Sequence, residues 1–430
     1  MKVLIITYYW PPAGGPGVQR WLKFVKYLQQ FGLEPVVYTV ENPRYPITDS
    51  SLENEIPKGV EVLRLPIREP NNLFVFFTKK KSSQSAGFLN PNPGLFGRFT
   101  QYIRANFFIP DARKFWIKPS VRYLKKYLES HPVDMIITTG PPHSVHLIGL
   151  ALKEDLGVPW ISDFRDPWTA IDYFDQLPLT KKSLAKHHTL EKKVLKKSDA
   201  VLVVGETMKK NFDPYAKQVY VLTNGYDTSQ DEKKGAQFLD SRFSITHVGA
   251  MNADRNPIIL WEVLAAICKE NSDFKSDLEI KLIGHIAPQV LNSITGSGLE
   301  NVERLGYLKH AEIKSYQEQS QVLLLAVNQV ASAKGIVTGK IFEYLQAKRP
   351  ILAIGPTDGD LATILQETSS GEIVDFNDAV KLKEVVLDLY RNFKEGNTVF
   401  TVQNIEQFHR KNLTEELSKI IKNTLENHSL

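Results

Sequence analysis

The clearest indication of the fold is the run Thr338-Gly-Lys-Ile-Phe-Glu-Tyr-Leu-Gln-Ala-Lys-Arg-Pro-Ile-Leu-Ala-Ile354. Its pattern predicts a short helix from Gly339 to Ala347, a turn at Lys348-Arg349-Pro350 and a buried strand over Ile351–Ile354. A helix that leads directly into a short apolar strand is typical of α/β folds, in which helices cover a mostly parallel sheet.

Strands and helices are predicted to alternate in this way over most of the 430 residues. The series begins at Val3 and begins again at Phe243, which predicts an α/β fold of two doubly wound, Rossmann-like domains. Between the two series, Asn224-Gly225 and the charged stretch Asp227–Lys234 have the composition of a linker. The predicted strands are Val3–Thr7, Pro35–Val40, Val60–Leu65, Asp134–Thr138, Pro159–Asp163, Ala200–Val204, Phe243–Val248, Leu278–Ile283, Val322–Val327 and Ile351–Ile354. The other predicted helices are Val18–Phe31, Ser144–Leu156, Lys181–Lys197, Ile258–Lys269, Ala311–Gln319 and Ile405–Asn427.

The short helix carries a cation and a carboxylate on one face. Lys340 lies in its first turn, where backbone N–H groups attract an anion, and Glu343 lies one turn further along. A cation at this position suits a phosphate, and the carboxylate suits a pair of vicinal hydroxyls. The pair therefore indicates a sugar-nucleotide pocket, and an ordinary surface ion pair is an equally weighted alternative.

Composition places the chain among ordinary globular proteins, because 42% of its residues are hydrophobic and 23% are charged. The single cysteine, Cys268, excludes an internal disulfide framework and lies in an apolar helical run, which favours a buried thiol. The chain enters the strand at Val3 without a signal-peptide pattern, and no apolar run approaches the length of a membrane span. A cytoplasmic protein is therefore expected.

The segment from Arg68 to Ser130 is basic, irregular and rich in aromatic residues, although the net charge of the chain is only +5. Leu73–Phe77 followed by Lys79, Lys80 and Lys81 resembles an interfacial anchor, so this segment favours contact with an anionic membrane surface over contact with nucleic acid. A solvated basic face is the alternative.

A glycine-rich loop follows the first predicted strand. Gly15 and Gly17 allow a close approach of the backbone at a helix N-terminus, which suits a phosphate group. As a dinucleotide fingerprint the loop is poor, because Arg20 stands where a small residue is required. Since the acid Glu41 ends the second strand, an NAD-dependent oxidoreductase remains an alternative, and so does a plain turn.

Polar side chains follow the next strands of the first half. His143 lies near a helix start, and Asp163, Arg165 and Asp166 follow the strand that ends in Ser162-Asp163. Because the carboxyl ends of parallel strands form the ligand edge of such a sheet, we expect His143, Arg165 and Asp166 to contact an acceptor. Asp163 is equally compatible with a structural role.

In the second half, Gly249 and Arg255 lie between a strand and a helix, where the guanidinium can reach a diphosphate. Pairing of Arg255 with neighbouring acids is the alternative. Gly284 and Leu308 also follow predicted strands and suit contacts to a base.

In their order, these segments resemble glycosyltransferase family 4, the retaining enzymes of GT-B fold. The likeness is carried by the glycine loop after the first strand, Asp163-Phe-Arg-Asp-Pro-Trp168, Thr223-Asn-Gly-Tyr-Asp227, Gly339-Lys-Ile-Phe-Glu-Tyr-Leu345 and Arg349-Pro-Ile351.

The resemblance implies an acceptor-binding domain over residues 1–222, a nucleotide-sugar domain over 223–404 and a final helix, 405–430, that crosses back to the first domain, with the two domains facing each other across a cleft. It implies no metal and no other cofactor, because Arg255 and Lys340 would neutralise the leaving diphosphate. Glu343 matches the glutamate that holds the ribose.

Two positions depart from the family pattern. Gly335 stands where the first glutamate of the paired-glutamate motif is expected, and Ala250 stands where an arginine follows the glycine of the strand–glycine motif. Subfamilies that extend polyprenyl-linked sugars resemble this chain in having the lysine and lacking the first glutamate.

The sequence thus predicts a retaining glycosyltransferase that moves a sugar from a nucleoside diphosphate to a hydroxyl acceptor in cell-surface polysaccharide or glycolipid synthesis. The implied partners are the nucleotide sugar, a lipid-linked acceptor and the inner membrane face, without nucleic acid. The oxidoreductase and a catalytically inactive, membrane-associated binding module of the same fold are the alternatives.

Overall fold

A computed structural model describes residues 1–43, 45–67, 94–171, 174–227, 238–308, 310–397 and 400–429. The chain forms two compact units. The first unit contains Met1–Thr223 together with Arg410–Leu430, and the second contains Asn224–His409.

The first unit is built on a parallel sheet of seven strands in the order β3-β2-β1-β4-β5-β6-β7. Strand β1 lies near the middle, where Val3 is paired with Pro35 on one side and with Met135 on the other. Helices cover both faces of such a sheet, so the central strands are largely apolar and buried. The strands are β1 Lys2–Thr7, β2 Glu34–Val40, β3 Glu61–Leu65, β4 Met135–Gly140, β5 Trp160–Phe164, β6 Ala200–Val203 and β7 Val219–Val221.

The described residues of this unit also form seven α-helices: α1 Pro16–Leu28, α2 Leu95–Phe107, α3 Lys114–Ser130, α4 Ser144–Leu156, α5 Lys181–Lys197, α6 Glu206–Phe212 and, from the end of the chain, Arg410–Ser429. The last of these packs against α1. Leu417 and Ile421 are fully buried in the same hydrophobic cluster as Trp21 and Leu28. The end of the chain therefore belongs to the core of the first unit.

The second unit repeats the architecture with a parallel sheet of six strands in the order β10-β9-β8-β11-β12-β13. Its strands are β8 Phe243–Val248, β9 Leu278–Ile283, β10 Val302–Gly306, β11 Val322–Ala326, β12 Ile351–Ile354 and β13 Gly371–Val374. Its helices are α7 Ile258–Glu270, α8 Ser272–Asp277, α9 Pro288–Gly296, α10 His310–Gln319, α11 Lys340–Ala347, α12 Asp360–Thr368 and α13 Ala379–Lys394, which makes the C-terminal helix α14. The centre of this sheet, β8, lies directly before Gly249.

The prediction of an α/β fold with two parallel, helix-covered sheets is confirmed. Two local expectations were wrong. The described part of the basic segment is not irregular, because it contains helices α2 and α3. The last helix begins at Arg410, after a separate 3-10 turn over Ile405–Phe408, and not at Ile405.

The predicted membrane anchor at Lys79, Lys80 and Lys81 lies outside the described residues and stays a prediction. Among the helices that the structure describes, none is both long and apolar enough to cross a membrane.

Candidate functional site

The side chain of Lys340 lies across Gly249. A Cβ atom at position 249 would stand 2.6 Å from the Lys340 Cε atom and 2.9 Å from its Nζ atom. Gly249 also has a φ of +100°, a conformation that residues with a Cβ atom rarely adopt. The glycine thus provides both the turn after β8 and the space in which the lysine lies.

Two cations meet at one backbone oxygen of the second unit. The Ala250 carbonyl accepts hydrogen bonds from Arg255 Nη1 at 3.2 Å and from Lys340 Nζ at 3.3 Å. Arg255 ends a 3-10 turn, and its Nε atom donates to Asn328 Oδ1 at 2.8 Å. The structure therefore brings together the two cations predicted from distant parts of the sequence.

The surroundings of Lys340 disfavour its charged form. Burial, and then the nearby charge of Arg255, lowers the pKa of Lys340 from 10.5 to about 7, although Glu343 acts in the opposite direction. Withdrawal from water and a like charge both disfavour the ammonium form. A bound anion would reverse the second effect and offset the first.

Glu343 lies half-buried on α11, one turn beyond Lys340. Gln317 donates from Nε2 to Glu343 Oε2 at 3.3 Å. The helix itself is tied to the sheet by Tyr344, whose buried hydroxyl accepts from the Val248 amide at 3.0 Å. Among the described residues, Lys340 Nζ has its hydrogen-bond partners at Ala250 and His247 and not at Glu343, so the two side chains do not form the simple surface pair considered from the sequence.

One residue of the site was missed by the sequence reasoning. His247, the penultimate residue of β8, lies with Nε2 at 3.3 Å from Lys340 Nζ and Nδ1 at 3.2 Å from the Leu324 carbonyl. It is fully buried, and burial followed by the Lys340 charge lowers its pKa well below 6.5. The available signal was a histidine inside an apolar strand, two residues before a glycine turn.

Gly284 has a structural reason for lacking a side chain. Its φ is +110°, and a Cβ atom there would stand 2.7 Å from the Gly249 carbonyl oxygen. Leu308 is partly buried and packs against the cluster that contains Phe342 and Leu345 of α11. Contact of Gly284 and Leu308 with a donor stays a prediction.

The glycine loop of the first unit is held by Arg165. Gly15 precedes α1 with a φ of +89°, and the Gly17 carbonyl accepts from Arg165 Nη1 at 2.7 Å. A Cβ atom at position 17 would stand 2.9 Å from that nitrogen. Arg165 Nε also donates to the Gly140 carbonyl at 3.2 Å. Arg165 thus joins two loops at the carboxyl edge of the first sheet, and its contact with an acceptor stays a prediction.

The two acids near Arg165 have different environments. Asp163 is fully buried and accepts from Arg20 Nη2 at 3.0 Å, Trp21 Nε1 at 2.6 Å and Thr139 Oγ1 at 2.8 Å. Asp166 is exposed. The structure therefore assigns Asp163 to the scaffold and leaves Asp166 accessible to a ligand.

His143 lies at the start of α4, stacked on Trp168 with 4.9 Å between ring centroids. Its side chain is 9% exposed, and Nδ1 has no hydrogen-bond partner among the described residues. Burial, followed by the neighbouring His146 and Arg165, lowers its pKa well below 6.5, so the ring is neutral at pH 7. An unpartnered ring nitrogen of this kind is compatible with the predicted acceptor contact, which stays a prediction.

Comparison with protein families gives two matches that are consecutive along the chain. The model described as Glycosyltransferase Family 4 matches residues 17–230, and the model described as Glycosyl transferases group 1 matches residues 242–392. Both describe glycosyltransferases, so they do not support the oxidoreductase alternative based on Gly15, Gly17 and Glu41. No curated protein matches the sequence.

Solved structures with a similar fold include sucrose-phosphate synthase from Thermosynechococcus elongatus, with a TM-score of 0.59 and 14% identity over 99% of each chain. WaaG, a glycosyltransferase involved in lipopolysaccharide biosynthesis, has a TM-score of 0.54 and 12% identity over 97% of this chain and 99% of that chain. A TarM variant from S. aureus, in complex with fondaparinux, α-GlcNAc-glycerol and UDP, has a TM-score of 0.59 and 12% identity over 99% of both chains. At these identities the likeness shows the fold alone.

Proposed function

We propose that this chain, which is a family-4-like glycosyltransferase, transfers a sugar from a nucleoside-diphosphate donor to a hydroxyl acceptor with retention of configuration. A role in cell-surface polysaccharide or glycolipid synthesis is part of the proposal, supported by the fold that the chain shares with WaaG.

The observation that carries the proposal is the convergence of Arg255 and Lys340 on the Ala250 carbonyl. When the sugar is transferred, the nucleoside diphosphate is the leaving group. Negative charge grows on its phosphate oxygens as their bond to the anomeric carbon breaks. Two fixed cations beside the phosphates would stabilise this state more than the ground state. The complex of TarM with UDP supports a nucleoside diphosphate as the ligand class.

The protonation of Lys340 fits this role. Without an anion its pKa is about 7, because burial and Arg255 disfavour the ammonium form. A diphosphate beside Nζ would raise the pKa again, so the lysine would be fully charged when the donor is bound. The site would therefore bind its ligand together with a proton.

Glu343 would hold the ribose hydroxyls, one helical turn from the phosphates. Its Oε2 atom accepts a hydrogen bond from Gln317, and Oε1 has no hydrogen-bond partner among the described residues, so this oxygen could accept from a ligand hydroxyl. Gly249, Gly284 and Leu308 would complete the donor contacts through the backbone.

The acceptor would be positioned by residues of the first unit. Asp166 is exposed and can accept the proton of a hydroxyl, and the buried Nδ1 atom of the neutral His143 has no hydrogen-bond partner among the described residues. Arg165 would also contact the acceptor. Gly15 and Gly17 would contact the donor phosphates, and Lys79, Lys80 and Lys81 would contact a lipid surface.

The test is a screen of nucleotide sugars, with candidate hydroxyl acceptors, for release of a nucleoside diphosphate. We expect release from the wild-type chain and a loss of at least about a hundredfold in Lys340→Ala. Lys269→Ala, which changes an exposed lysine on α7, is the matched control and should turn over like the wild type. The product's anomeric configuration, read by NMR, tests retention.

Two outcomes would contradict the proposal. Full turnover in Lys340→Ala and Glu343→Ala would exclude this site as the donor site. Nucleotide-sugar binding too weak to detect, together with lipid binding that is lost when Lys79, Lys80 and Lys81 are replaced by Glu, would instead favour the inactive binding module.

A further inference from the structure

His247 occupies an unusual position for a histidine. It lies in β8, between β9 and β11 at the centre of the second sheet, and none of its surface is exposed to solvent. Buried polar side chains in such a place are hydrogen-bonded, so each ring nitrogen should have a definite role. Both have a partner within hydrogen-bond distance.

The partners fix the position of the ring proton. Nδ1 lies 3.2 Å from the Leu324 carbonyl, which can only accept, so Nδ1 carries the hydrogen. In a neutral imidazole the other nitrogen is then an acceptor. Nε2 lies 3.3 Å from Lys340 Nζ, which can only donate while it is charged. The hydrogen bond therefore runs from the lysine to the histidine.

The ammonium group is located by this bond and one other. It has three N–H donors, and the acceptors found for it among the described residues are His247 Nε2 and the Ala250 carbonyl. Two fixed bonds leave one donor for a ligand. The space for the lysine stem is set independently, by the missing side chain of Gly249.

We propose that His247 is a positioning residue of the donor site, which holds the Lys340 ammonium group in the place where it meets the diphosphate. The inference rests on the proposed function, since it assigns to the histidine a task that matters only if Lys340 binds an anion. Arg255 is held separately, through Asn328, so the effect of His247 should be confined to one of the two cations.

Two substitutions of His247 test the roles of its two ring nitrogens separately. Asn places an amide near the position of Nδ1 and can still donate to Leu324, but it cannot reach Lys340. Gln places an amide near Nε2 and can still accept from Lys340. A structural role of the ring predicts that both variants are impaired alike, and a positioning role predicts that only His247→Asn loses the ligand contact.

The experiment measures binding of inorganic pyrophosphate and of UDP to the full chain by calorimetry, with thermal unfolding as a check of the fold. We expect His247→Asn to weaken pyrophosphate binding by about tenfold or more, the effect of losing a hydrogen bond to a charged group. His247→Gln should recover the affinity to within about threefold. His188→Asn, an exposed histidine of the first unit, is the control for the substitution itself.

The possible results point in different directions. Equal pyrophosphate affinity in His247→Asn and the wild type, or equal loss in the Asn and Gln variants, would overturn the inference, as would a wild type that does not bind pyrophosphate. A wild type that binds pyrophosphate but releases no nucleoside diphosphate from any nucleotide sugar would contradict the proposed function, and the comparison of the variants would still decide the role of His247.

Discussion

Arg255 and Lys340 donate to the same atom, the carbonyl oxygen of Ala250, although they lie 85 positions apart in the chain. Burial, followed by the nearby charge of Arg255, lowers the pKa of Lys340 to about 7, so the ammonium form is disfavoured in the ligand-free chain. An anion that reaches both cations would gain from each of them without having to reorganise the site. The arrangement of these two cations therefore resembles a preformed phosphate site.

Binding of a diphosphate should be coupled to uptake of a proton. At pH 8 Lys340 is mostly neutral, because its pKa is about 7, and a nearby diphosphate would raise that pKa. We expect UDP binding at pH 8 to take up close to one proton, measured by calorimetry in two buffers of different ionisation enthalpy. At pH 6 the lysine is already charged, so the uptake should disappear.

The control for this coupling is Lys269→Ala, which should retain the proton uptake. Lys340→Met should abolish it and weaken binding. Equal uptake in Lys340→Met and the wild type would assign the proton to another group.

The stability of the ligand-free chain should depend on pH through the same lysine. The folded-state pKa of about 7 lies below the ordinary value of 10.5, so between these two values the unfolded chain binds the proton and the folded chain does not. Stability should therefore rise with pH across this window, by at most about 1.4 kcal/mol per pH unit from this one group. Below pH 7 Lys340 is protonated in both the folded and the unfolded chain, and the free-energy cost of burying its charge is fully present.

Urea unfolding of the wild type and of Lys340→Met at several pH values isolates this contribution. The free energy of unfolding of Lys340→Met should exceed that of the wild type by the largest amount at pH 6. This difference should shrink towards pH 10. A difference that does not change with pH would mean that Lys340 is not desolvated in the folded state.

Gly249 should not tolerate a side chain. In Gly249→Ala the new Cβ atom would meet Lys340 Cε at 2.6 Å, and the φ of +100° would be strained. We expect a loss of roughly 1–3 kcal/mol in stability together with a loss of at least about tenfold in UDP affinity, because the lysine must move.

Gly296→Ala is the matched control for this substitution. Gly296 ends α9, in the same unit, and a Cβ atom there would meet nothing within 4 Å. This variant should be as stable as the wild type or slightly more stable, with unchanged UDP affinity. If Gly249→Ala binds UDP normally, the lysine is not held in the observed place.

The sequence predicted the elements that have a strong local signal. Strands β8 and β9 agree with the prediction at both ends, since their apolar residues alternate with polar ones, are buried and are followed directly by Gly249 and Gly284. Strands β10 and β13 were not predicted, because they lie at the edges of the sheet, are short and contain few buried residues, and Glu303 and Glu372 are exposed. Their existence depends on a neighbouring strand and not on their own composition.

Prediction of the candidate donor site from the sequence is limited in the same way, because contacts between distant residues are not visible in it. Lys340 could be proposed from its place at a helix start, and Arg255 from its place after a strand. Their meeting at Ala250, and the contact of Lys340 with His247, are tertiary facts that no local pattern contains. The effect of the missing arginine at position 250 stays a prediction, and the structure adds that the backbone carbonyl of that same residue is where the two cations meet.

Asp163 and Asp166 lie on one short segment, and their environments predict opposite effects of substitution. Asp163 is fully buried with Arg20, and removing it would leave a buried guanidinium without its carboxylate. We expect Asp163→Ala to lose about 3–5 kcal/mol in the free energy of unfolding, the usual cost of breaking a buried pair. The measurement is urea or thermal unfolding of the ligand-free chain.

Asp166→Ala is the comparison, since this acid is exposed. Its stability should stay within about 0.5 kcal/mol of the wild type, while its turnover should fall if it positions the acceptor hydroxyl. The effect should lie mainly in kcat and in the affinity for the acceptor, with the affinity for UDP unchanged. If instead Asp166→Ala destabilises the fold as strongly as Asp163→Ala, the acid belongs to the scaffold, and the acceptor hydroxyl must be positioned by other groups.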